Sequence, residues 1–169
     1  MSERDTDPVW ESYERTIDWA RFDIACSITR TMKQMLNWHT SSDGAAMLSH
    51  AVSVGVDRRL IVLAACKIAR AALRLEGVWV ARPHLRQVRR IERWVHGLAK
   101  LEHRSLLGGA TYVEQVVFHA SRLALDGYPS PGHARAIPMA LARAFGEPHS
   151  GGSVACLAYC ADVIREVIP

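Results

Sequence analysis

The chain has 169 residues, 49% hydrophobic and 22% charged, an ordinary globular balance that excludes an intrinsically disordered polymer, which needs low hydrophobicity and high net charge. One domain of this length buries roughly two-thirds of its extended surface and needs neither a metal nor a disulfide staple. The formal net charge of +4 is too mild to point to nucleic acid on its own. The longest apolar run, Leu60–Cys66 before Lys67, falls far short of the roughly 18–20 residues that cross a bilayer.

Met1–Asp7 reads as a charged, frayed tail. It carries no apolar export signal, so a cytoplasmic, reducing setting is expected, with Cys26, Cys66, Cys156 and Cys160 as free thiols. Asp7-Pro8 is a helix start, cap then proline. Trp10, Tyr13, Ile17, Ala20, Ile24, Ile28, Met32 and Met35 then recur at helical spacing, predicting one long helix over Pro8–Trp38. His39–Gly44 is a loop, followed by a short helix over Ala45–Val54 that Gly55 ends. Asp57 caps a helix over Arg58–Leu75 that is apolar on nearly every face, the pattern of an element surrounded by others. Gly77 closes it, and Val78-Trp79-Val80 reads as extended because Arg82 precedes a proline.

Pro83 is expected to start the next helix, with Leu85, Val88, Ile91, Val95 and Leu98 inward and Gly97 weakening its end. A further helical turn is expected over Leu98–Leu107, broken by Gly108-Gly109. Thr111 and Glu114 form a capping box for a helix over Tyr112–Leu125. After a loop at Asp126–Gly132, a helix runs over His133–Phe145, and Pro138 must either kink or start it. Gly146–Gly152 is a loop, and Ser153 caps a last helix over Val154–Val167. No segment alternates at period two for long enough to be a strand, and no internal repeat is present. The expectation is an all-α, single-domain bundle of six to seven helices around the apolar 58–75 helix.

Catalytic motifs are missing. There is no nucleophile elbow, no phosphate loop, no dinucleotide fingerprint and no paired-histidine zinc motif. Ser49 and His50 are adjacent, so on a helix they point apart. The eight histidines are scattered singly. Cys156 and Cys160 share a helix face, a spacing that suits ligands but equally a buried stripe, and free cysteine packs as a small hydrophobe. No catalytic residue, metal or cofactor is therefore expected, and the chain reads as a non-enzyme.

The most distinctive stretch is Arg82 to Trp94. On a helix, Arg86, Arg89, Arg90 and Arg93 share the side opposite Leu85, Val88, Ile91 and Val95, with Trp94 between the two faces. Lys100 and Arg104 extend the basic region; Glu92 and Glu102 partly neutralise it. Arginine and tryptophan are favoured hot-spot types at protein interfaces, so Arg86, Arg89, Arg90, Arg93 and Trp94 are the candidate contacts for a protein partner. The same arginines suit phosphate contacts, which keeps nucleic acid as an alternative. Trp19 and Trp79 suit a third, a subunit covered by neighbours in a larger assembly.

Asp57–Arg70, an alanine-dense helix with Cys66 before Lys67, is followed by Ile91-Glu-Arg-Trp94 and Gly97, and then by alanine-containing helices at Val113–Leu125 and Val154–Val167. In these features residues 57 to about 168 resemble a bacterial family of immunity proteins of polymorphic toxin systems. The sequence departs from that pattern at Val116-Val-Phe118, where the family is richer in alanine, and its first 56 residues have no counterpart. The resemblance implies a non-enzymatic, cytoplasmic helical protein that binds and occludes a protein partner in a toxin-neutralisation or bacterial defence setting.

Overall fold

The computed structural model describes residues 38–75, 78–101 and 110–169, residues 78–80 by backbone only. These residues belong to one compact unit, Asn37–Pro169. They form α1 (Gly44–Ser53), α2 (Arg58–Leu73), α3 (Val78–Val95), α4 (Tyr112–Leu125), α5 (Pro131–Ala144) and α6 (Gly151–Val167). No strand occurs among the described residues, so the class is all-α, and none of these helices is long and apolar enough to cross a membrane. The expected helix over 8–38 lies outside the described residues apart from Trp38, which sits in a turn. Most of the expected turn over 98–107 also lies outside them.

Short polar side chains start the helices where their oxygens meet the free N–H groups of a first turn. The Asp43 carboxylate accepts from Ala45 N and Ala46 N at 2.9 and 3.0 Å, and that of Asp57 from Arg59 N at 2.8 Å. Thr111 and Glu114 close the capping box of α4: Glu114 N donates to Thr111 Oγ1 at 3.2 Å, and Thr111 N to Glu114 Oε2 at 3.0 Å.

Three starts differ from the sequence reading. The segment Val78-Trp79-Val80 is not extended but is the first turn of α3, which runs through Pro83. The proline removes one intrahelical bond, and burial of His84, Val88, Ile91 and Val95 outweighs that cost and the preference of Arg82 against helix. Helix α5 starts at Pro131 rather than His133, because Ser130 caps it through Gly132 N at 3.2 Å and proline suits the first helical position. It passes through Pro138, which is buried. Helix α6 starts at Gly151, capped by Ser150 rather than Ser153.

Helix α2 packs against each of the other five described helices, burying Ile61, Val62, Ala64, Ala65, Cys66, Ile68, Ala69, Ala72 and Leu73. It is not apolar all round: Arg59, Lys67 and Arg74 are exposed. Small residues set the helix spacing. A Cβ on Gly44 would stand 2.6 Å from Cys160 Cβ, so α1 and α6 meet only because that side chain is missing. Gly97, at φ +72°, ends α3 in a Schellman turn, with Leu98 N donating to Arg93 O at 2.7 Å and Gly97 N to Trp94 O at 2.9 Å.

One arginine joins three elements. Arg58, at the start of α2, donates from Nε to Leu123 O at 2.9 Å and from Nη2 to Ala124 O at 2.7 Å, covering the last carbonyls of α4. Its guanidinium also lies over the Trp94 ring of α3, 5.3 Å from the centroid. We expect Arg58→Ala to lower the unfolding free energy by about 2 kcal/mol, since bonds from a charged donor contribute roughly 1.5–3 kcal/mol. Arg58→Lys should recover little of it, because an ammonium cannot reproduce the fork. Urea midpoints of the three proteins check this, and an Ala midpoint equal to wild type would show that the corner carries no stability.

Candidate partner-binding groove

Helix α3 is fixed on its inner side by three polar contacts. Toward α2, Arg70 Nε and Nη2 donate to Glu92 Oε1 and Oε2, each at 2.5 Å. Toward α4, His84 Nε2 lies 3.2 Å from Glu114 Oε1, and Gln87 Nε2 donates to Ser121 Oγ at 2.5 Å. Ser121 Oγ in turn donates to Val117 O at 2.7 Å. These contacts, with the buried Val88, Ile91 and Val95, leave the opposite side of α3 to solvent.

Along the flank of α3 that faces α2 a groove of about 540 Å³ opens between the two helices, lined by Leu63, Lys67, Arg70, Arg89, Glu92, Arg93 and His96. Four of these side chains are cationic and one is anionic. The one carboxylate, Glu92, is held at both oxygens by Arg70. Lys67 pairs with Glu166 of α6 at 3.3 Å, with both side chains well exposed. Arg89 and Arg93 are exposed and form no ion pair with a described residue. The groove therefore presents, beside half-buried Leu63, two guanidinium groups that no described acid neutralises.

Of the five contacts chosen from sequence, Arg89 and Arg93 enter this groove. Arg86 and Arg90 are exposed on the same helix without lining it. Trp94 is half-buried and taken up by the Arg58 contact rather than turned into the groove. Lys67, Arg70 and His96 join the site without having been singled out as contacts. Lys67 and Arg70 lie on another helix, and the only signal for them was that they interrupt an otherwise apolar run at a three-residue spacing.

A second concavity, of about 400 Å³, lies between α2, α5 and α6 and is almost wholly apolar, with Leu75, Phe145 and Tyr159 exposed around Cys156. Cys66, Cys156 and Cys160 are buried free thiols, packed as core as the sequence suggests. The Cys160 thiol is pushed up by its hydrogen bond to Cys156 and by burial, and the same bond pulls Cys156 down. Burial pushes Cys66 up as well. Among the described residues no three His, Cys, Asp or Glu side chains converge as metal ligands.

No family model, curated protein or solved structure matches the chain.

Glu114 couples the anchor of α3 to the cap of α4. Backbone N–H bonds from Thr111 and then Ala110, with His84 adding to them, hold its carboxyl below the ordinary carboxylate value of 4.5. A folded pKa below the unfolded one gives stability that is complete above the unfolded value and is lost as pH falls through the folded one. We expect Glu114→Gln to be less stable than wild type at neutral pH, and the gap between them to narrow below about pH 4.5. Denaturant midpoints from pH 3 to 7 measure it; a gap constant across that range would exclude a charged-state role for Glu114.

Proposed function

We propose that the chain is a binding module, not an enzyme, that holds an acidic protein partner in the α2–α3 groove. The observation that carries this reading is the exposed pair Arg89 and Arg93, unpaired with any described acid beside the half-buried Leu63. Guanidinium groups offer planar forks matched to carboxylates, and complementary charge steers encounter and fixes register. The neighbouring Arg86, exposed on the same helix, widens the basic field. The resemblance of residues 57 to about 168 to immunity proteins supplies the mode of action proposed here: occlusion, in which a preformed helical surface covers the working face of a toxin or other partner.

The test uses the untagged chain and an Arg89→Glu/Arg93→Glu variant, both immobilised and exposed to nuclease-treated lysate of the native host. Circular dichroism should show the variant folded, because both side chains are exposed. The expected result is an acidic protein retained by wild type and bound on the order of tenfold more weakly by the variant, a loss of about 1.4 kcal/mol. A retained protein that binds both forms equally would remove the groove from the proposal. Nucleic acid retained without nuclease, released steeply by salt and accompanied by no protein, would assign the arginines to phosphate contacts instead.

A further inference from the structure

A third concavity, of about 300 Å³, opens between α4 and α5 and shares no lining residue with the α2–α3 groove. Its polar lining is Gln115 and His119 of α4 with Arg135 and Arg143 of α5. Ala136 and Met139, between the two arginines in sequence, are part of its apolar lining. No carboxylate lines it. Helix α5 has no acidic residue over Pro131–Ala144, and α4 has only Glu114, which is engaged by the cap of its own helix and by His84. Asp126, the acid that follows α4, faces Arg122 at 3.3 Å and His133 Nε2 at 3.8 Å. Arg135 and Arg143 are exposed and form no ion pair with a described residue. The cleft is therefore positive, and the nearby described acids are held elsewhere.

Its histidine adds a second polar group. His119 Nδ1 stands 2.9 Å from His133 Nδ1, a hydrogen bond in which one ring donates and the other accepts. Asp126 beside His133 Nε2 favours a proton on that nitrogen, so His133 Nδ1 is the acceptor and His119 Nδ1–H the donor. The remaining nitrogen of His119, Nε2, belongs to a ring that lines the cleft, with Gln115 one turn away on the same face of α4. Burial, and then His133, hold His119 below the ordinary histidine pKa. The ring is neutral near neutral pH, and negative charge placed beside it draws a proton to Nε2. Size and spacing narrow the ligand further. Small-molecule sites span roughly 300–1,000 Å³, and the cleft lies at the lower end. Arg135 and Arg143 are eight residues apart, roughly 12 Å along the helix axis, with the apolar Ala136 and Met139 between them. An inorganic ion held by one guanidinium fork would leave that apolar stretch uncovered, whereas an organic acid covers it.

We infer that the α4–α5 cleft binds a small organic oxyanion, a carboxylate or phosphate monoester carried on an apolar body. The fork of Arg135 takes the oxyanion, joined by the amide of Gln115 and by His119 Nε2–H. The body lies over Ala136 and Met139, and Arg143 adds positive potential at the far end. The site is independent of the partner proposed for the α2–α3 groove.

The test is an NMR titration of the untagged full chain with benzoate and with phenyl phosphate. Benzyl alcohol serves as the neutral analogue, and an Arg135→Ala/Arg143→Ala variant is titrated in parallel. The expected result is saturable shifts centred on Gln115, His119, Arg135 and Met139 with at least one of the two anions, and binding about tenfold weaker or worse for benzyl alcohol and for the variant. The tighter of the two anions names the head group as carboxylate or phosphate. No saturable shift with either anion at millimolar concentration, shifts centred elsewhere, or equal binding of benzyl alcohol would overturn the assignment, as would a folded variant with wild-type affinity. The comparison with benzyl alcohol needs wild type alone, so it decides the matter even if the variant folds poorly.

Discussion

The arginine face of α3 depends on where its one acid goes. Glu92 is the only carboxylate between Val78 and Val95, three residues from Arg89 and so close enough on a lone helix to neutralise part of that face. Arg70 of α2 takes both of its oxygens. A bidentate, partly buried guanidinium–carboxylate pair is among the stronger side-chain contacts, so the acid is engaged within the fold and leaves Arg89 and Arg93 without a described acid. The same pair bridges α2 and α3 within the lining of the groove. The one anion of α3 is thus already engaged within the described residues.

The local chemistry of helix ends was legible in the sequence wherever one side chain decides the matter. Asp43, Asp57 and the Thr111/Glu114 box satisfy backbone donors within three residues, and that needs no tertiary information. Of the three missed starts, that of α5 is also local, Ser130 before Pro131; the other two are decided by tertiary burial. Nothing local tells that Val78 begins a helix across Pro83; the reason is the row His84, Val88, Ile91 and Val95, whose burial favours an unbroken helix. Ser150 and Ser153 are equally good caps by type, and Ser153 loses because the fold buries it.

The candidate site was legible only by halves, for a related reason. Helical spacing places Arg86, Arg89, Arg90 and Arg93 on one side of α3, since that is a property of one element. It cannot say that Lys67 and Arg70 of another helix complete a groove, or that Trp94 is committed to Arg58. The two histidines are the extreme case. His119 and His133 read as unrelated single residues, and only the turn between α4 and α5 brings them to 2.9 Å. Small residues have the opposite property: the alanines of α2 and Gly44 are visible in any sequence reading, yet they say only that helices approach closely.

The groove holds two kinds of ion pair, and their difference suits a binding surface. Arg70–Glu92 is bidentate and half-buried, with side-chain exposures of 37% and 20%, and removing either partner would leave a partly desolvated charge without its mate. Lys67–Glu166 is a single contact of 3.3 Å at exposures of 43% and 66%, the kind of surface pair whose net worth is about 0–1 kcal/mol. An incoming carboxylate can displace Glu166 from Lys67 at almost no cost, because Lys67 exchanges one carboxylate for another and Glu166 returns to water. In the proposed complex the inner pair would hold the groove in shape while the outer pair is exchanged. An acidic partner would then find three cations, Lys67, Arg89 and Arg93, available at the rim of a groove that need not rearrange to receive it.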